Sequence, residues 1–244
     1  MLRLSPPGYE RMSRGEVFDK RAGGSELNVA AGVAHLGLRT GIISKLPNNS
    51  IGAFIKNRIR FDGVSDDNLI YDNSDDARLG IYYYEYGAAP RKPSIVYDRQ
   101  NSSFTKLNLD DISTDVYYKT RMFHTSGITL ALCKEIREVA IELIKRFKEN
   151  GAMISFDVNY RANLWSEEEA RKTIKAILPY IDVLMGIEPY HLWKDENDHS
   201  KGDWKDSVPL QPSYEQQDEI FQAFVERYPN LKCIARHVRY AHSG

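Results

Sequence analysis

Three segments of this 244-residue sequence carry residue types suited to chemistry. In Ala22-Gly23-Gly24-Ser25-Glu26-Leu27-Asn28, paired glycines precede a helix start, where the amides of the first turn have no partner inside the helix. The partial positive charge at such an end favours a carboxylate or several hydroxyl oxygens, and the Asn28 amide both donates and accepts. In Asp157-Val158-Asn159-Tyr160-Arg161, polar residues follow the apolar run at 153–156. If the chain stays extended there, Asp157, Asn159 and Arg161 share one face and stand outside the carboxyl end of a strand, where open α/β folds bind ligands. Arg161 supplies a planar fork suited to carboxylate or phosphate oxygens. In Tyr97-Asp98-Arg99, alternation points Tyr97 and Arg99 the same way. With Tyr82, Tyr83, Tyr84 and Tyr86 upstream, a strand pair bearing them could close over a polar ligand as a lid. Each segment also has a plainer reading, respectively a helix cap, a salt-bridged turn and sheet packing.

These residues need elements to hold them. Residues 25–36 read as a helix with Ser25 as its cap and Gly37 at a left-handed C-terminal position. Residues 40–46 read as a buried strand. Residues 49–62 read as a second helix, with Ile51, Phe54, Ile55 and Ile59 at helical spacing and Gly63 closing it. From about residue 68 to 104, aromatic and β-branched residues cluster in short runs at 79–86 and 94–97, which predicts a small antiparallel lid sheet. An α/β rhythm then returns: strand 122–125, helix 132–149 ended by Gly151, strand 152–157, helix 167–178, strand 182–185, helix 216–227 and strand 231–235. Residues 193–217 are polar and broken by Gly202, Pro209 and Pro212, which predicts a surface insertion packed down by Trp193 and Trp204. The expected fold is α/β, a mostly parallel sheet with covering helices and a small lid, in one domain spanning the chain.

Bulk properties exclude several classes. Hydrophobic residues make up 42% and charged residues 27%, which favours a packed domain over a disordered chain. The net charge of -1, with basic residues dispersed, offers no footprint for nucleic acid. Cys133 and Cys233 are too far apart in sequence to read as a metal or redox pair, so neither a disulfide framework nor a metal site is expected. No apolar run approaches the roughly 20 residues that span a bilayer, and residues 1–7 lack the apolar core of a signal peptide. A cytoplasmic protein without membrane contact is expected. No Gly-x-Gly-x-x-Gly joins a strand to a helix, which disfavours a nicotinamide dehydrogenase.

Taken together, the segments resemble the ribokinase-like (PfkB) carbohydrate kinases, and within them the branch acting on 2-keto-3-deoxygluconate. The resemblance rests on Gly23-Gly24 followed by Asn28, the early lid, His124-Thr125-Ser126-Gly127-Ile128 after a strand, and Asp157-x-Asn159-x-Arg161-x-x-Leu164-Trp165, in that order. The last is the most specific. It implies that ATP, with Mg²⁺, phosphorylates the terminal hydroxyl of a sugar acid. Gly23, Gly24 and Asn28 would hold the sugar chain, Tyr86 and Tyr97 would contact it from the lid, and Arg99 and Arg161 would hold its polar groups. Asn159, Arg161 and Glu188 would border the nucleotide, Arg161 being assigned the catalytic part among the residues present. The resemblance also implies a homodimer through the lid.

The family's glycine-rich loop, which opens a helix and carries a catalytic aspartate, is not found. Gly202-Asp203 is followed by no apolar helical run. Residues 2–7 resemble the passage after the family's first strand. The chain is therefore expected to be shortened at both ends and inactive alone. Alternatives are a related sugar or nucleoside kinase, or a sugar-acid-binding protein without catalysis.

Overall fold

In a computed structural model of the chain, residues 1–186 and 213–236 are described. They form two compact units, Met1–Val116 and Tyr117–Gly244.

The first unit is built on helix α1 (Ser25–His35), strand β3 (Ser44–Pro47) and helix α2 (Ser50–Phe61). Both helices form where helical spacing predicts them, but Ser25 does not cap α1. Gly24 is the cap residue, at φ 147°, a conformation that side chains rarely adopt, while the Ser25 hydroxyl donates to Glu26 Oε2 at 2.7 Å. The α2 start follows ordinary capping: Asn49 Oδ1 accepts from the amides of Ile51 and Gly52, both at 3.0 Å. Ile55 and Ile59 are buried, whereas Ile51 is exposed. Strand β3 is shorter than the expected 40–46, because Gly41 makes only an isolated bridge to Ser65.

Strand β4 (Leu69–Asp72) pairs in parallel with β3, from Ser44 opposite Leu69 to Pro47 opposite Asp72. The stretch expected to begin the lid therefore belongs to a separate two-stranded sheet. The tyrosine-bearing sheet has the order β2-β1-β5-β6, with β1 (Leu2–Ser5), β2 (Asp19–Ala22), β5 (Ile81–Glu85) and β6 (Ser94–Asp98). The β5–β6 and β1–β2 pairs are antiparallel, but β1–β5 is parallel, so the sheet is mixed and draws two strands from the first 22 residues. Leu2, Leu4, Ala22 and Ile81 pack from one face of it into a core with Leu27, Leu46, Ile55 and Ile59.

The second unit follows the predicted rhythm closely. After a short α3 (Asp115–Lys119) come β7 (Met122–Ser126), α4 (Gly127–Ala131), α5 (Lys134–Glu149), β8 (Met153–Asp157), α6 (Glu167–Ile177), β9 (Val183–Met185), α7 (Tyr214–Arg227) and β10 (Cys233–Ala235). The sheet, in the order β10-β9-β8-β7, is parallel throughout. Its strands are short apolar runs because helices cover them; Ile154, Phe156 and Leu184 are fully buried beside Ile144 and Ile174. The expected helix 132–149 begins two residues later, behind the separate turn of α4. Residues 214–217, expected within the polar insertion, are the first turn of α7; the rest of that insertion, with Trp193, Trp204 and Gly202-Asp203, lies outside the described residues.

Asp182, buried just before β9, accepts from Lys148 Nζ at 2.6 Å, Lys232 Nζ at 3.0 Å and the Ile154 amide at 2.9 Å. Burial pushes its carboxyl up, and these partners outweigh burial and hold it below the ordinary range. Among the described residues, no helix is long and apolar enough to cross a membrane.

Candidate functional site

In the first unit, cross-strand register assembles a row. Arg21 lies opposite Arg3, Arg3 opposite Tyr82, and Tyr82 opposite Tyr97. Residues directly opposite share a sheet face, and this face is the one turned away from Leu2, Leu4 and Ile81. The rings of Tyr82 and Tyr97 lie 6.0 Å apart, and the Arg99 guanidinium sits 4.3 Å above the Tyr97 ring. Tyr97 and Arg99 thus point the same way, as alternation predicts. One rung along, Tyr84 and Tyr86 meet edge to face at 4.8 Å, and Arg3 donates to the Tyr86 hydroxyl at 3.3 Å.

Gly23 sits beneath this row. A Cβ built on it would lie 2.5 Å from the Tyr82 hydroxyl, so only glycine lets the phenol rest on the chain just before α1. The Gly23 amide donates to the Met1 carbonyl at 3.0 Å, so Gly23 contributes space more than a donor. Asn28 is exposed and lines a groove of ≈ 440 Å³ together with Arg21, Phe54 and Arg58. Arg21 belongs to both the groove and the row. Burial pushes the Tyr82 phenol up, only partly offset by the charge of Arg3, so Tyr82 stays neutral and able to donate.

Sequence reasoning named Tyr82 only as one of four lid tyrosines and did not name Arg3 as a site residue. The two-residue period links Tyr82 to Tyr84 and Tyr86, and Arg3 and Ser5 alternate with Leu2 and Leu4, but only the register shows that these two sets are neighbours.

In the second unit the chain does not stay extended beyond β8. The Val158 amide still donates to the Met185 carbonyl at 2.9 Å, but Asn159 turns to φ 33° and its amide donates to Asp157 Oδ1 at 3.0 Å. Asp157, Asn159 and Arg161 therefore do not line one strand face. The physical reason is local: an aspartate side chain offers the second amide after it a closer acceptor than a neighbouring strand does. The turn leaves Arg161 exposed and Asn159 partly so, at the carboxyl end of the parallel strands.

The turn is braced from below. Gly127, at the start of α4, abuts the Val158 carbonyl so closely that a side chain would collide with it. The buried Trp165 packs beside Gly127, with the Arg137 guanidinium 5.4 Å above the indole. Arg137 in turn donates to the Leu130 carbonyl at 2.8 Å and approaches Glu169 at 3.6 Å. In the His124–Ile128 segment, His124 Nδ1 lies 3.0 Å from the Ser155 hydroxyl, and Thr125 and Ser126 are buried. Glu188 lies outside the described residues.

A parallel sheet with polar turns at its carboxyl ends and a mixed, tyrosine-rich sheet beside a Gly-Gly helix start make this an α/β protein, and residues 2–189 match the pfkB family carbohydrate kinases. The chain belongs to that family. It is similar to the 2-dehydro-3-deoxygalactonokinase of Haloferax volcanii, at 38% identity over 188 residues, which is 77% of this chain and 58% of that relative. The chain thus spans little more than half of that relative's length. The crystal structure of the Thermotoga maritima 2-dehydro-3-deoxygluconokinase superposes with a TM-score of 0.85 at 34% identity, covering 97% of this chain and 69% of that one. An uncharacterized sugar kinase from Pyrococcus horikoshii, solved in complex with ATP, superposes with a TM-score of 0.67 at 26% identity, over 76% of this chain and 60% of that one.

Proposed function

We propose that this chain carries the sugar-acid-binding part of an ATP-dependent kinase for 2-keto-3-deoxygluconate (2-dehydro-3-deoxygluconate) or its galacto epimer. The observation that carries the reading is the row Arg3, Tyr82, Tyr97 and Arg99 laid over Gly23. Neutral phenols and guanidinium groups on one surface suit a ligand with several hydroxyls and one negative charge. Gly24 and Asn28, at the start of α1, are proposed to reach the chain of the sugar. The names of the Haloferax and Thermotoga relatives support this substrate class.

Arg161 and Asn159 suit phosphate oxygens, since one is an exposed guanidinium and the other a partly exposed amide at the ends of parallel strands. ATP with Mg²⁺ would supply the transferred phosphoryl group, and Glu188 is proposed to border it. What these residues contribute is position and positive charge, on which phosphoryl transfer chiefly depends. By register the carboxylate on the tyrosine face is the exposed Asp19 of β2, opposite Ser5 and two residues from Arg21; its place on a strand gives it no helix-end amides to hold a transferred phosphoryl group, so we assign this chain binding rather than turnover. The β6 edge strand exposes Ile95, Val96 and Tyr97, and pairing of two such edges would make the homodimer.

The test is calorimetric titration of the protein with 2-keto-3-deoxygluconate, its galacto epimer, a neutral hexose and a nucleoside, with ³¹P NMR after incubation with ATP and Mg²⁺. Binding confined to the two sugar acids, without phosphate-ester formation, is expected. Preference for the hexose or the nucleoside would replace this reading with another sugar or nucleoside kinase. Phosphate-ester formation would overturn the assignment of binding alone.

A further inference from the structure

We infer that Arg137 is a positioning residue for the turn that carries Asn159 and Arg161: it ties both ends of that turn to the fold and so sets how well Arg161 meets phosphate oxygens. The inference rests on the phosphate role proposed for Arg161 and deepens it. Among the described residues the Arg161 guanidinium forms no hydrogen bond or ion pair, so the backbone of the turn decides where it stands. Inside the turn that backbone is shaped by local bonds, from the Asn159 amide to Asp157 Oδ1 at 3.0 Å and from the Leu164 amide to the Arg161 carbonyl at 2.9 Å. Bonds of this kind give the turn its form and leave its placement to the contacts at its two ends.

Both ends lead to Arg137 on α5. At the near end the Val158 carbonyl rests against Gly127 of α4, and Arg137 Nε donates to the carbonyl of Leu130 in that same short helix at 2.8 Å. At the far end Trp165 is buried and its indole N–H has no hydrogen-bond partner, so packing places the ring: Cζ2 lies 3.7 Å from where a Gly127 Cβ would be, and the Arg137 guanidinium lies 5.4 Å from the ring centroid. The same guanidinium approaches Glu169 at 3.6 Å, and Glu169 closes the capping box of α6 with Ser166, the residue after Trp165. One planar head thus meets a carbonyl, an aromatic face and a carboxylate on separate elements, a combination that an ammonium group does not reproduce. Without it the segment 158–165 is free to shift as a unit, and a misplacement of about 1 Å is enough to spoil a contact geometry.

The experiment is titration of the full chain with ATP and Mg²⁺, comparing the wild type with Arg161→Gln, Arg137→Gln, Arg137→Lys and the double variant Arg137→Gln/Arg161→Gln. Arg161→Gln is expected to lower affinity about tenfold, as for loss of a charge-assisted hydrogen bond. Arg137→Gln should lower it roughly threefold to tenfold, although Arg137 stands behind Trp165 and not in the turn. The double variant should bind no more weakly than Arg161→Gln alone, since the placement of a head that has been removed no longer matters. Arg137→Lys, which keeps the charge but not the plane, should bind about as weakly as Arg137→Gln. Thermal unfolding identifies a variant that fails to fold; should that be Arg137→Gln, the cycle is completed with Arg137→Lys and Arg137→Lys/Arg161→Gln.

Unchanged affinity in Arg137→Gln, with only a lower melting temperature, would make Arg137 a structural brace. Full affinity in Arg137→Lys would make the effect one of charge, and losses that multiply in the double variant would make the two residues independent. Each of these overturns the inference while the role of Arg161 stands. If Arg161→Gln binds as the wild type does, or the wild type does not bind ATP, the proposed phosphate role falls and the inference with it.

Discussion

Gly23 and Tyr82 share a space too small for one more carbon. An alanine Cβ would lie 2.5 Å from the phenol oxygen and 2.9 Å from Cε1, and the phenol, as the far end of a side chain, would swing away. Gly23→Ala is therefore expected to reduce affinity for the sugar acid about tenfold through lost positioning, with a melting temperature close to that of the wild type. Calorimetry on the variant checks the first part and thermal unfolding the second. Unchanged affinity would remove Tyr82 from the site. Gly127 presents the opposite case, because its neighbour is the backbone carbonyl of Val158. Gly127→Ala should destabilise the second unit by about 2 kcal/mol, within the range for strain in a packed interior, read as a lower denaturant midpoint.

Among the elements, two buried carboxylates tie strands to neighbouring segments of the chain. Asp72, at the end of β4, is pushed up by burial, but hydrogen bonding by Ser74 and Ser103 and the charge of Lys106 lower it from 3.8 to about 2. A folded-state value below the unfolded one contributes stability that is complete above 3.8 and is lost as pH falls through about 2. Urea midpoints should accordingly fall across that acid window, and Asp72→Asn should flatten the part of the fall due to this group. Asp182 clamps β9 to Lys148 on α5 and to the start of β8. Asp182→Ala leaves the Ile154 amide unpaired and should cost about 1–3 kcal/mol in chemical unfolding.

The same scale shows how much was legible in the sequence. Helices α1, α2, α5 and α6 were readable from apolar spacing with a Gly, Asn or Ser at their ends, and the parallel strands from short apolar runs between them. Pairing partners were not readable. Leu69–Asp72 has the composition of a lid strand, yet it joins β3, and Leu2–Ser5 reads as an exit from a strand, yet it forms the middle of the tyrosine sheet. Which strand a segment joins is decided by distant residues that local composition does not encode. The turn at Asn159 was missed for a different reason, since the Asp157 side chain competes locally with strand continuation.

For the molecule as a whole, the order of motifs pointed to the family, while the tyrosine face required register. Gly23 lies against Tyr82, and Arg99 over Tyr97, in the first unit, and Arg161 and Asn159 occupy a turn in the second. Val96 points away from the Tyr97 row and is 58% exposed on an edge strand, so it belongs to the proposed dimer surface and not to the sugar face. Val96→Glu is expected to convert a dimer to a monomer in sedimentation equilibrium without changing sugar-acid affinity; a wild-type protein that sediments as a monomer would remove the dimer from the account.

The central claim is that the tyrosine face over Gly23 receives a sugar acid, and amide chemical-shift mapping of the ¹⁵N-labelled protein during titration with 2-keto-3-deoxygluconate tests it most directly. The account predicts saturable shifts at Arg3, Gly23, Gly24, Asn28, Tyr82, Tyr97 and Arg99, and a clearly smaller response to the methyl ester at the same concentration. Shifts confined to other residues, or equal shifts from acid and ester, would contradict it.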